Sequence, residues 1–477
     1  MRRLISFSFL LVLLGLSVSC QPLPAQDTAQ VPLSLPTLLP TATPYPSFTA
    51  DVEADEQVYL FIDPQNGAGP LWSIGSSLIA RVGEDVFVSG VVFDESQPAP
   101  NNARCVIYQR RPSGWEVLLR LHGLTREPCP IAADGHTLWV STNPAIGNLS
   151  EPQVVRIDLS VPGASPEIFN PEWEPGHVFD SWSYRGLSVD PENHDLLVLN
   201  ISGNDAQYWA YLNPLGEWSA QGKLIFPQVQ TAEALDNAAD TETATSPLRL
   251  AYPTVALRNR QSYVLAISDI EAPDPLIKSY LQNKGESTYV LQQIYYAWTP
   301  DVASQPFTDW IKLSDLAPAG SIRNQDIWIG QDGTAHLLWL ENALDERLKT
   351  FFPETLPQVT LWHATLKDGQ ELSREKLVEF KLKGNQPIRA RFHETEQDRL
   401  FVFYSTHQPA TGGENWLMEL YADGGRSLSL PLNIQPGLEY FLATGQRNGS
   451  APSSFIELMG ITTWGESVVR YIRIQIR

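Results

Sequence analysis

Six times between residues 77 and 406 the chain repeats one construction: an apolar β-rich run, a short polar turn, and a second apolar run. The six are SLIARVGEDVFVSGVV (77–92), CPIAADGHTLWVSTNPA (129–145), RGLSVDPENHDLLVLNIS (185–202), YPTVALRNRQSYVLAISD (252–269), QDIWIGQDGTAHLLWLEN (325–342) and IRARFHETEQDRLFVFYST (388–406). Turn chemistry places each reversal. Asp332-Gly333 in the fifth unit is a strong hairpin signal because glycine accepts positive φ at little cost. Each hairpin is followed by a third strand and a fourth, Trp-containing one. Units spaced by roughly 45 to 70 residues with almost no amphipathic helix between them predict a radial β-repeat.

The early run QVYLFID (57–63) has no partner nearby in sequence, and the C-terminal segment YFLATGQRNGSAPSSFIELMGITTWGESVVRYIRIQIR (440–477) offers about three strands. Joining the two would close the ring and cover edge strands that an open sheet would expose. The expected fold is therefore an all-β, six- or seven-bladed β-propeller over residues 55–477. Two segments break the rhythm. Residues 230–247 are acidic, small and polar and read as a mobile loop. Residues 274–291 carry helical spacing and are placed as a cap on one face.

The N-terminus is of another kind. A basic start (Arg2, Arg3), an apolar run from Leu4 to Leu16 and small residues before Cys20 form a secretory signal layout over residues 1–19. The ending LSVSC matches a bacterial lipobox apart from Ser17, so Cys20 is the expected lipidation site. Residues 20–54 begin with a Pro/Thr-rich stretch that cannot pack a core, and read as a disordered tether. The expectation is an exported protein, lipid-anchored to the cell envelope and facing periplasm or exterior. Export makes a disulfide between Cys105 and Cys129 plausible, with two buried thiols as the alternative. The net charge of −21 argues against nucleic acid, since phosphate contacts need clustered Lys and Arg. A monomer is expected, with no cofactor and no metal.

These units resemble the BNR-repeat, sialidase-like β-propeller superfamily, whose innermost strands carry D-x-x-G-x-x-H/L hairpins. IGQDGTAHLLW comes nearest to the defining aspartate box, with Gly330 where Ser is expected. The segments GPLWSIG (69–75), REPCPI (126–131) and FLATGQRNGSAPS (441–453) resemble a bacterial lipoprotein subgroup of that superfamily. The resemblance implies a fold and supplies no activity. Sialidase-like enzymes combine an arginine triad with a Tyr nucleophile, its Glu partner and an Asp acid, and carry an [FY]-R-I-P segment that is absent here.

Asp326, Asp332, His336 and Glu341 crowd the fifth unit and are its candidates for metal or acid/base chemistry. On hairpin logic Asp332 makes the turn and His336 is a structural or exposed strand residue. His136 and Asp195 occupy comparable places in other units, as a repeat requires. More informative is the start of each innermost strand. There stand Arg126, Tyr184 with Arg185, Tyr252, Arg323, and Arg389 with Arg391. In a propeller these starts gather at one mouth of the channel. Guanidinium forks bind carboxylate or sulfate, and Trp72, Tyr184 and Tyr252 could stack on sugar rings. The expected ligand is a glycan or other anionic polymer. The alternative is that the arginines pair with local acids such as Glu127 and Asp326 and brace the ring. Glu127, Asp326 and Glu394 are the candidate carboxylates should the site be catalytic, as in a glycoside hydrolase or lyase. A protein-interaction scaffold in the envelope is the third reading.

Overall fold

The computed structural model describes residues 48–72, 75–181, 184–230, 245–316, 318–380, 386–408 and 412–477. The signal segment, Cys20 and nearly all of the expected tether lie outside the described residues, as does most of the acidic 230–247 loop.

Among the described residues the strands form seven four-stranded antiparallel sheets. We number them as blades: 1 (79–125), 2 (131–169), 3 (185–225), 4 (250–315), 5 (321–380), 6 (386–437) and 7 (440–476 with 50–60). Each innermost strand touches that of the next blade, and the last touches the first, so the blades form a closed ring. The six hairpins are the inner two strands of blades 1 to 6. Apolar clusters fill the spaces between successive blades, as where Leu338 and Leu361 of blade 5 meet Ala390 and Phe392 of blade 6.

The N-terminal strand Ala50–Leu60 closes the ring by pairing with Val468–Ile476 as the outermost strand of blade 7. It starts earlier than the expected boundary at 55, inside the stretch assigned to the tether. The reason is visible in its alternation: Asp51, Glu53 and Asp55 face outward and meet Arg477, Arg473 and Arg470 of the partner strand. Opposite charges across a strand pair help fix its register. The expected cap is a helix, Pro275–Asn283, with Asp274 accepting from the Leu276 amide at its N-terminus.

The centre of the ring is filled. Residues 444–450, between the first and second strands of blade 7, reach blades 1, 2, 3 and 5. The Arg447 and Asn448 carbonyls accept from the Val189 and Ala133 amides, and Gln446 exchanges two hydrogen bonds with Ile329. Residues 75–78 join it: the Arg447 guanidinium donates to the Gly75 carbonyl at 2.9 Å, and the Asn448 side chain donates to Ser77. Innermost strands of neighbouring blades do not pair as a sheet, so their backbone groups need other partners. Besides this plug, side chains supply them. Ser188 accepts from the Leu257 amide, Asp190 from Asn259, Gln325 from Ala390 and Asp326 from Phe392.

Candidate functional site: an arginine and tyrosine cleft on the ring

One open cleft of about 690 Å³ gathers Trp72, Arg126, Tyr184, Arg249, Tyr252, Asp269, Arg323, Asp345 and Arg347. Five of the eight expected ligand-binding residues therefore meet in it: Trp72, Arg126, Tyr184, Tyr252 and Arg323. They come from the segment before blade 1 and from the starts of blades 2, 3, 4 and 5. With the centre plugged, the site is a cleft on one face of the ring, where the sequence suggested the mouth of an open channel.

Its floor is an aromatic pair. The Tyr184 and Tyr252 rings lie 4.2 Å apart between centroids, and the Tyr184 hydroxyl donates to that of Tyr252 at 3.0 Å. Tyr252 has φ of +56° beside a break in strand register. That left-handed backbone costs a non-glycine residue on the order of 1–3 kcal/mol. Surrounding groups hold it there. The Asn324 amide donates to the Tyr252 carbonyl and to Thr254, and Gly75 of the plug lies so close that a Cβ would sit 2.3 Å from the Pro253 oxygen. Burial pushes both phenols up, Tyr252 well above its ordinary value. Both are neutral hydrogen-bonding groups near neutral pH.

The arginines differ in their commitments. Arg249 pairs with Asp269 at 3.0 Å and lies 5.4 Å over the Tyr184 ring. Arg347 clamps Asp345 through two nitrogens and donates to the Ser287 and Tyr289 carbonyls. It thereby locks the segment after the helix to the insertion of blade 5, forming one wall. Arg126 donates to the Asn66 carbonyl at 3.1 Å and lies 5.8 Å over Trp72. Arg323 is exposed, and its guanidinium makes no hydrogen bond or ion pair with any described residue.

The remaining three expected ligand residues are not in the cleft. Arg185 is buried, donates to the Ser141 carbonyl at 2.9 Å and sits 3.7 Å from Glu127. Arg391 is buried and donates to the Gln325 and Ala390 carbonyls. Arg389 is buried 4.9 Å over the Tyr440 ring, next to a void of about 10 Å³ that it shares with Trp72. Burial, then the charge of Arg323, pushes its guanidinium down to about 9. These three arginines brace blades: their strands are buried along nearly their whole length, so the guanidinium groups end on backbone carbonyls, Glu127 or the Tyr440 ring.

The candidate carboxylates are also elsewhere. Glu127 is buried against Arg185, and burial raises it to about 7. Asp326 is held by Arg447 at 2.5 Å while accepting from the Phe392 amide. Glu394 accepts from the Trp328 indole at 2.9 Å, and burial raises it. Asp326 and Glu394 face a separate void of about 20 Å³ against the plug. They serve as partners for strand edges and buried cations, which is why acids recur at these positions.

His336 is half-buried on the second strand of blade 5. Its Nδ1 lies 3.0 Å from Nε2 of His363, whose Nδ1 lies 3.1 Å from Glu375. Burial and His363 push it down to about 3. Asp332 makes the turn through the Thr334 amide and hydroxyl, with Gly333 at φ +79°. Cys105 and Cys129 are not bridged. They are adjacent buried thiols, with Ser89 at 3.4 Å from Cys105.

Sequence reading missed Arg249, Asp269 and the Asp345–Arg347 clamp. Arg249 directly precedes the innermost strand of blade 4 and followed the same rule as its counterparts. The clamp lies in an insertion outside the repeat and gave no signal.

No family model matches the chain, and no curated protein sequence matches it. Among solved structures, the chain is similar in fold to an ulvan lyase described as a new family of polysaccharide lyase, with TM-score 0.53 and 11% identity over 88% of this chain and 95% of that one. A structure of such a lyase bound to a glucuronate–rhamnose 3-sulfate repeat has TM-score 0.53 and 10% identity over the same shares. A looser likeness, TM-score 0.45 and 9% identity over 89% of this chain and 98% of that one, is to an α-L-arabinanase of Penicillium chrysogenum complexed with arabinobiose. The chain thus shares the fold of that polysaccharide lyase.

Proposed function

We propose that the cleft binds an acidic glycan, with Arg323 and Arg126 receiving its carboxylate or sulfate and Trp72, Tyr184 and Tyr252 lying against its sugar rings. The observation that carries this reading is Arg323. An exposed guanidinium facing a large cleft, close to a second, buried arginine and without an acidic partner among the described residues, has its donors directed to whatever enters the cleft, and such a fork favours carboxylate or sulfate. In a protein of net charge −21, such a grouping is the opposite of the general surface. The resemblance in fold to a lyase bound to a uronate–sulfated rhamnose repeat supports the ligand class. On its hairpins we group the chain with the sialidase-like propellers, and on its N-terminus we place it as a lipid-anchored envelope protein through Cys20.

A glycan array with sialylated, uronic and sulfated polymers tests the reading. Wild type should bind at least one class, and Arg323→Ala should lose that binding while melting at an unchanged temperature. Retained binding in the variant rejects it. Arg389→Ala is an unsuitable probe, because burial makes it a stability variant.

A second reading, elimination from a uronate, is favoured by the strained and hydrogen-bonded Tyr252 next to Arg249 and Asp269. Its test is ultraviolet absorbance from an unsaturated uronate on incubation with uronic polymers. A hydrolase has less support. Asp269 and Asp345 are each held by an arginine, Glu346 is the one further carboxylate in the described lining, and Glu127, Asp326 and Glu394 are outside the cleft.

A further inference from the structure

Trp464 is half exposed in a surface turn of blade 7, an unusual place for the largest apolar side chain. Its ring is flanked on two sides. Tyr440 meets it edge-on at 5.5 Å, and a Cβ on Gly69 would come within 3.4 Å of its ring. It also borders a second cleft of about 230 Å³ that includes Asp63 and Glu466. The two clefts are linked by aromatic surface. Trp72, a wall of the arginine cleft, has its ring 6.0 Å from that of Trp464, and both border the small void at Arg389.

We infer that Trp464 is the platform of a second sugar subsite, which takes an uncharged ring of the same glycan chain as it leaves the arginine cleft over Trp72. Aromatic faces supply large contact area at little cost in side-chain entropy, and indole is the commonest such anchor at binding sites. The charge reverses along the track. In the first cleft four arginines outnumber Asp269, Asp345 and Glu346, whereas around Trp464 Asp63 and Glu466 stand without a basic residue in the described lining and accept from hydroxyls while repelling a uronate or sulfate. The polymer that fits is one in which acidic residues are interspersed with neutral ones.

This inference rests on the glycan reading above, and its test separates the two. Binding is measured by calorimetry for length series, two to eight residues, of glucuronate–rhamnose 3-sulfate oligomers, hyaluronan oligomers and oligogalacturonates. Every ring of the glucuronate–rhamnose 3-sulfate and galacturonate series is charged, whereas hyaluronan alternates acidic and neutral rings. In the hyaluronan series wild type should gain affinity with length, and Trp464→Ala should remove about tenfold from the longest oligomers while leaving the disaccharide unchanged. Trp464→Tyr should restore most of the loss. Raising the salt should weaken the disaccharide but leave the length-dependent gain in place, since stacking of a neutral ring is not screened. Equal affinities of wild type and Trp464→Ala for long oligomers would overturn the subsite and leave the cleft reading intact. A length gain abolished by salt, or a Trp464-dependent length gain in the fully charged series alone, would overturn the neutral ring. No binding of any series to wild type would overturn both.

Discussion

Arg323 and Arg389 begin the innermost strands of adjacent blades, yet one faces solvent and the other is sealed. That difference separates function from stability residue by residue. Removing an exposed side chain with no partner should leave the unfolding free energy within about 0.5 kcal/mol of wild type. Arg323→Ala is expected to behave so in chemical denaturation. Arg185→Ala should cost about 3–5 kcal/mol, because it leaves Glu127 buried without its cation. Glu127 itself gives a pH signature. Its folded value of about 7 lies above that of an unfolded glutamate, so the folded state holds the extra proton between roughly pH 4.3 and 7. Its contribution to stability therefore falls as pH rises through that window. Glu127→Gln should flatten this slope by about 2 kcal/mol in melts compared at pH 5 and 7.5.

At the scale of elements, the hairpins were legible and the plug was not. Turn chemistry such as Asp332-Gly333 or Asn259-Arg260, where both residues adopt positive φ, is written locally. Residues 444–450 have no periodicity, and their partners lie in distant blades. Acids at strand edges misled for a related reason. Asp326 looks reactive in sequence, but its oxygens are used by Arg447 and the Phe392 amide. Gly449 tests the plug. It has φ +68°, and a Cβ there would meet the Ala133 carbonyl at 1.8 Å, so Gly449→Ala should destabilise by about 2 kcal/mol or more in urea unfolding. His336 tests the face between blades 5 and 6. Its folded value of about 3 lies below an ordinary histidine, so the unfolded state binds its proton first. Stability from this group is complete above roughly pH 6.5 and is lost as pH falls, by about 2 kcal/mol at pH 5. A His336→Asn variant should be less acid-sensitive than wild type over that range, the opposite sign to Glu127.

For the whole molecule, closure and site formation are one problem. The strand Ala50–Leu60 completes blade 7, and deleting residues 48–60 would expose the Val468–Ile476 edge and part of a buried cluster that includes Val58 and Tyr59. Such a truncation should lower the melting temperature and promote aggregation, seen by light scattering during heating. The arginine cleft, in turn, exists only because the segment before blade 1, the starts of blades 2 to 5, the segment after the helix and the blade 5 insertion are brought together. That is why the start of each innermost strand was informative, while the choice between an exposed and a buried arginine depended on what neighbouring blades and the 69–72 segment pack against each, as Tyr440 and Trp72 do at Arg389. The central claim is that this face binds an acidic glycan through Arg323. Calorimetric titration of glucuronate–rhamnose 3-sulfate and uronate oligomers into wild type and Arg323→Ala tests it most directly. The account predicts saturable binding to wild type that weakens with salt, and a loss of tenfold or more in the variant. Equal affinity in the two proteins would contradict it.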